Sequence, residues 1–189
     1  MERTRFNALA GIAAASLTAC IAAGRACADE RVPAATRVSS AAGVEVVVYK
    51  SERKLALYRG GRFEREFRVV LGLDPDGAKL HENDARTPEG LYRIIARHPH
   101  ARWQFYLALD YPNARDRRNY EDARGAGRIP DDHGKPFAIG GSVAIHGNDR
   151  LVVQDAGIDW TKGCIALSDP DIRAVAAEVP VGTPVWIVP

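Results

Sequence analysis

From Val44 onward the apolar positions fall into short runs: Val44 to Tyr49, Leu55 to Tyr58, Phe63 to Leu71, Leu91 to Ala96, Phe105 to Asp110 and Val143 to His146. Alternating or clustered runs of this length, rich in Val, Ile, Tyr and Phe, predict β-strands. Turn residues at Ser51 to Lys54, and at Arg59 to Arg62 around Gly60-Gly61, predict hairpins that make the first three strands an antiparallel meander. A helix is predicted late in the chain. Asp169 is its expected N-cap, Pro170 its first residue and Asp171 part of its first turn; Ile172, Val175, Ala176 and Val179 follow at helical spacing, and Pro180 ends it. Val185 to Val188 is a closing strand after the Gly182-Thr183-Pro184 turn. Two segments break the strand pattern. Residues 71–91 hold Gly72, Pro75, Gly77, Pro88 and Gly90, and residues 111–141 hold Arg115, Arg117, Arg118, Arg124 and Arg128 with no apolar period for a strand. Both predict long loops, and long ordered loops in a compact domain are more often functional than not. The second is read as a substrate lid. The expected fold is mainly β, a sandwich or mixed sheet with one late helix and long loops around the site.

The first residues have a different character. Arg3 and Arg5 precede an apolar, alanine-rich run from Phe6 to Ala23, and Arg25 leads to Ala26-Cys27-Ala28. That order is expected of a secretory signal over residues 1–28. An alternative cleavage lies within it, because Leu17-Thr18-Ala19-Cys20 resembles the lipobox of bacterial lipoproteins, where Cys20 would become a lipidated first residue. Residues 29–43 read as a flexible lead-in and 44–189 as one domain. Either cleavage puts the folded part outside the cytoplasm, in the periplasm or cell envelope, with membrane contact only through a signal or lipid anchor. The chain has 26 basic and 24 acidic residues; without residues 1–28, which contain Arg3, Arg5, Arg25 and Glu2, both counts are 23. A neutral chain lacks the cationic excess that nucleic-acid binding needs. A monomer is expected.

Of the three cysteines, Cys20, Cys27 and Cys164, only the last lies in the globular part. An unpaired thiol in an exported protein is either buried and inert or kept for reactivity. The neighbourhood favours reactivity. Ala144-Ile145-His146-Gly147 ends a strand, and Asp159-Trp160-Thr161-Lys162-Gly163-Cys164-Ile165-Ala166-Leu167 follows. His81, His98, His100 and His133 fall in loop-like or proline-adjacent segments, whereas His146 ends an apolar strand and precedes a glycine. A cysteine attacks as the thiolate, and an imidazole either takes its proton or holds it in an ion pair. Gly163 is a turn glycine or a place where a substrate carbonyl approaches backbone N–H groups near Cys164, which would stabilise an oxyanion. Thr161 either hydrogen-bonds this loop or is a plain surface residue. His98 and His100 flank Pro99 without a third ligand at a standard zinc spacing. No Gly-rich phosphate loop and no serine nucleophile elbow is present. No cofactor is expected.

These residues resemble a known family. His-Gly at a strand end, then Ser or Thr, a variable residue and Gly-Cys before apolar residues, is similar to the signature of the L,D-transpeptidase catalytic domain. Thr87-Pro88-Glu89-Gly90 and Gly182-Thr183-Pro184-Val185 look like further elements of it, so the resemblance spans residues 44–189. Two positions depart: Lys162 stands where the family has His, and Ala166 where Arg or Asn is common, as in a divergent branch. The resemblance implies Cys164 as nucleophile and His146 as base, with Gly163, Thr161 and Gly147 in support. It implies peptidoglycan stem peptides as substrate, with a wall-attached protein or another amine as acceptor. Tyr111, Arg115, Arg118, Trp160 and Lys162 are candidate substrate contacts. A cysteine hydrolase on the same scaffold, or an inactive wall-binding module, are the alternative expectations.

Overall fold

The computed structural model describes residues 43–148 and 150–189. The expected export segment and nearly all of the lead-in lie outside the described residues. The elements in chain order are β1 (Val44–Tyr49), β2 (Lys54–Arg59), β3 (Arg62–Arg68), β4 (Gly90–His100), β5 (Gln104–Leu109) and α1 (Ala114–Gly125), followed by β6 (Asp131–Asp132), β7 (Lys135–Pro136) and β8 (Ala144–His146). The last four are α2 (Leu151–Asp155), β9 (Ile165–Ala166), α3 (Asp169–Glu178) and β10 (Pro184–Val188). β6 and β7 pair only with each other. The other eight strands form one sheet in the order β3-β2-β1-β10-β4-β5-β8-β9.

The first meander forms as the sequence predicts. Gly60 and Gly61 both adopt positive φ, +55° and +74°, between paired Arg59 and Arg62, the two-residue hairpin whose twist matches that of its strands. β1 pairs antiparallel to β2 and parallel to β10, so it is buried throughout. Its alternate residues serve two cores. Val44, Val46 and Val48 face the main cluster with Leu55, Leu57, Tyr92, Leu107, Ile145, Ile165 and Ile187. Val47 and Tyr49 join Ala56 and Tyr58 on the other face, covered by Trp186 and Val188. The chain leaving β3 crosses to the far edge of the sheet, where Val70 pairs with Ala166 of β9 and Gly72 with Thr161. That crossing curls the mixed sheet around the main core, and α3 covers the core with Ile172, Val175, Ala176 and Val179.

The mainly β fold agrees with expectation, and three local readings need correction. Residues 111–141 are not all loop, because α1 occupies their first half. Asn113 caps it by accepting the N–H groups of Arg115 and Asp116, while Asp116 accepts the N–H of Asn113. The sequence hid this helix because its surface is so polar: only Asp116 and Ala123 are buried, which leaves no apolar stripe. The N-cap of α3 is Ser168, one residue earlier than expected; its hydroxyl accepts the Asp171 N–H, and Pro170 sits within the first turn. β4 runs on to His100, so His98 and His100 are strand residues. Among the described residues no helix is long and apolar enough to cross a membrane.

Leu107, fully buried in β5 at the centre of the main cluster, tests this packing. Leu107→Ala removes three buried carbons and leaves a cavity, which costs about 2–5 kcal/mol. Urea unfolding should show that loss as a lower midpoint with an unchanged slope.

Candidate active site

The short strand β9 is held on both sides. β8 pairs with it in parallel through Ile145↔Ile165 and His146↔Ala166, and Val70 pairs with it from the other flank. Cys164 immediately precedes β9. Since alternate residues of a strand share a face, Cys164 and Ala166 stand on the His146 side of this pair. The turn leading to Cys164 is braced from within: the buried Thr161 hydroxyl donates to the Cys164 carbonyl at 2.8 Å and accepts the Gly163 N–H at 3.1 Å. Gly163 has φ +128°, and a Cβ there would stand 2.5 Å from the Arg86 carbonyl oxygen and 3.6 Å from Lys79 Cδ. No L side chain fits those two constraints. Upstream, Asp159 accepts the Leu71 N–H at 2.7 Å and is gripped by Arg53, whose Nε and Nη2 approach Asp159 Oδ2 at 2.9 and 2.6 Å.

His146 is almost fully buried at the end of β8. Its Nδ1 lies 2.7 Å from the Gly147 carbonyl oxygen. A carbonyl only accepts, so Nδ1 carries the proton and Nε2 presents its lone pair. The ring is clamped by aromatics. Trp103 stacks on it at 4.5 Å and 23°, Trp160 meets it edge-on at 6.1 Å, and His100 stacks on Trp103 at 4.6 Å. Gly147 is what permits this. Its N–H donates to the Trp103 carbonyl at 3.0 Å, and a Cβ there would strike that carbonyl as well as Asp169 and Ile172. Burial holds the imidazole below the ordinary histidine range; the Gly147 bond opposes that, and the charges of His100 and Arg102 reinforce it. His146 is therefore neutral at pH 7.

The thiol also rests uncharged. Burial pushes Cys164 above its ordinary range, with an Ala144 backbone hydrogen bond and the Lys79 charge pulling partly back. Its Sγ donates to the Ser142 carbonyl oxygen at 3.7 Å, an oxygen that also accepts the Tyr106 hydroxyl at 2.9 Å. Loss of the thiol proton to a base thus requires Sγ to leave the Ser142 carbonyl. The site holds a protonated thiol next to β9 and a neutral imidazole on the neighbouring strand β8. Of the two N–H groups expected near an oxyanion, that of Gly163 is already donated to Thr161. The Cys164 N–H donates to no protein group among the described residues.

Of the other expected contacts, Trp160 flanks His146 and carries the Arg150 guanidinium 5.0 Å over its ring. Lys162 is exposed beside Cys164. Arg115 and Arg118 are exposed on α1. Tyr111 is instead a core residue, 5% exposed, packed against Tyr92 with its hydroxyl donating to the Ile139 carbonyl. Its mixture of aromatic ring and polar tip suggested a substrate contact, and burial removes it from any binding surface. The sequence pattern weighs His100 only as a zinc ligand, and it does not single out Trp103, in the turn between β4 and β5, or the Arg53–Asp159 anchor, whose partners lie 106 residues apart.

Fold and site together define the class. The chain belongs to the L,D-transpeptidase catalytic domain (YkuD) family, whose family model matches residues 43–187. Among solved structures it is similar to Bd1075 of Bdellovibrio bacteriovorus, at 20% identity and TM-score 0.53, over 78% of this chain and 48% of that one. It is similar to the helical cell shape determining protein Pgp2 of Campylobacter jejuni, at 24% identity and TM-score 0.54, over 76% of this chain and 46% of that one. It also resembles an L,D-transpeptidase from Xylanimonas cellulosilytica, at 18% identity and TM-score 0.50, over 80% and 62% of the two chains. The match thus spans about half the length of the first two proteins. No curated protein matches the sequence.

A neutral resting pair has a measurable signature. Iodoacetamide alkylation of Cys164, followed by mass on the peptide that carries it, should accelerate with pH and inflect above 9, the ordinary thiol value. A plateau already reached at pH 7 would instead reveal a preformed thiolate–imidazolium pair.

Proposed function

We propose that this chain is an exported peptidoglycan L,D-transpeptidase that works through a cysteinyl thioester on Cys164, with His146 as the general base. The observation that carries the proposal is an imidazole held in a single tautomer by its Nδ1 bond, with no hydrogen bond to Nε2 among the described residues, on a strand paired with the one that follows the thiol. The description of the Campylobacter relative as determining helical cell shape fits a wall substrate.

In the first step His146 Nε2 takes the Cys164 proton as Sγ bonds to the carbonyl carbon of an L,D peptide bond in a stem peptide. The carbonyl oxygen becomes an oxyanion, for which the Cys164 N–H is the available donor. Collapse breaks the C–N bond, His146 passes its proton to the departing D-amino acid nitrogen, and the thioester remains. In the second step an acceptor amine attacks the thioester and gives its proton to His146. The C–S bond breaks, and His146 reprotonates the thiolate. Trp103, Trp160 and Gly147 keep the imidazole oriented through both steps, and Thr161 keeps the Gly163-Cys164 turn in shape. Arg115, Arg118 and Lys162 are the exposed cations available to substrate carboxylates, since a guanidinium pairs with a carboxylate through two hydrogen bonds. A wall-attached protein or a second stem peptide is the acceptor class. Water in place of the amine would make the same site a hydrolase.

Cys164→Ala should lose all turnover of defined muropeptides while keeping its Tm and circular dichroism; an active alanine variant would put the nucleophile elsewhere. With the intact protein, new dimers that depend on an added amine support transfer, whereas cleavage without dimers identifies a hydrolase. A carbapenem should add once to Cys164 by whole-protein mass, and absence of any adduct would leave an inactive wall-binding module.

A further inference from the structure

Behind the Gly163-Cys164 turn lies an ion pair that the steps above do not use. Lys79 and Asp84 meet at 2.6 Å with side chains only 4% and 6% exposed. Both come from the 72–89 loop, and each has further partners: Lys79 also donates to the His81 carbonyl at 3.0 Å, and Asp84 accepts the N–H groups of Leu80, His81 and Arg86. Burying a lysine and an aspartate costs several kcal/mol per ion in desolvation, and attraction between them returns that only in good geometry. A loop that needed only to be fixed in place would be as well served by apolar residues.

What sets this pair apart is its position. The Lys79 stem lies against Gly163, where its Cδ would be 3.6 Å from an added Cβ. The Arg86 backbone, anchored by Asp84, presses on the same glycine. The charged groups around Cys164 can be compared element by element. On β8, His146 is kept neutral by burial. On β5, the Tyr106 hydroxyl is raised by burial, and further by Cys164 once that sulfur is ionised, so it is uncharged at neutral pH. Lys162, one residue before Gly163, is exposed and its charge is screened by solvent. Lys50, the other buried lysine, is paired with Glu89; Lys79 is the buried cation whose stem lies against the Gly163-Cys164 turn, and its charge favours the ionised thiol.

We propose that Lys79 is a positioning residue for Cys164: held by Asp84 against the Gly163 turn, it supplies the fixed positive charge that favours the thiolate as it forms and as it departs from the thioester. This rests on Cys164 being the nucleophile, and it explains how the site manages without a charged imidazole in its resting state. Asp84 has the complementary task of holding the ammonium in place. Burial pushes the Asp84 carboxyl up, but hydrogen bonds from Lys79 and the three backbone N–H groups bring it below its ordinary range, so the carboxylate stays ionised at neutral pH.

The test separates charge from scaffolding. Lys79→Met leaves Asp84 buried and unpaired, whereas Lys79→Met with Asp84→Asn removes both charges and leaves no orphaned ion. The full chain and both variants are alkylated with iodoacetamide from pH 6 to 10.5, following the Cys164 peptide by mass, with Tm measured in parallel. In the double variant the inflection moves to higher pH, and the rate at pH 7.5 falls about two- to fivefold, less than for one isolated charge because the Asp84 carboxylate is lost with the ammonium. The single variant shows a larger shift and a lower Tm. A double variant whose profile overlays that of the unaltered chain would overturn the proposal, because the pair would then be only a brace. Alkylation needs no peptidoglycan, so failure here is distinguishable from failure of the transpeptidase reading, which the muropeptide and carbapenem experiments decide.

Discussion

The site depends on the threading of residues 159–166 between two neighbours. β8 holds one flank of β9, and the chain just after β3 holds the other. A two-residue strand has little stability of its own, since each of its backbone groups must find a partner in a chain segment remote in sequence. Val70, Leu71 and Leu73 supply such partners to residues 160–166, and Asp159 fastens the entry to the segment through Arg53. The curl of the sheet is therefore the means by which a cysteine near one edge and a histidine on the adjoining strand acquire a fixed relation. The motif elements at 87–90 serve the same end from the opposite side: Thr87 accepts the Gly72 N–H, and Lys50 grips both the Thr87 carbonyl and Glu89.

The electrostatics of the site follow from that enclosure. Taking a thiol and an imidazole out of water disfavours the charged form of each, which moves their proton affinities in opposite directions and leaves both neutral. A resting pair of this kind is protected from the oxidation and metal capture that threaten an exposed thiolate. In the proposed reaction ionisation is postponed until a carbonyl carbon is present to take the sulfur electron pair. Gly147 makes the imidazole ready for that event, because its carbonyl fixes the proton on Nδ1 and its missing side chain allows Trp103 to close over the ring.

Much of this was legible in the sequence, and the parts that were not share a physical cause. The meander, the glycine hairpin, the late helix and the closing strand are set by local patterns of apolar and turn residues, and they form as expected. Cys164, His146, Thr161 and Gly163 stood out because their chemistry and spacing are concentrated in a short stretch. α1 was missed because its stability comes from a capping box and charged side chains, without the apolar stripe that marks a helix. Tyr111 was misplaced because a tyrosine reads alike in a core and at a surface. Trp103, His100, Lys79 and Asp84 were invisible for another reason: each acts on the cysteine or the histidine across a distance in sequence that only the folded sheet brings together.

Two of the three tryptophans in the chain pack on His146, and the third, Trp186, belongs to the separate cluster on the outer face. Trp103 and Trp160 also keep their indole N–H groups buried without an acceptor among the described residues. The native emission of this protein is in consequence weighted toward the environment of a single imidazole. Occupancy of the cleft, or a proton arriving on that ring, becomes an optical event that requires no label.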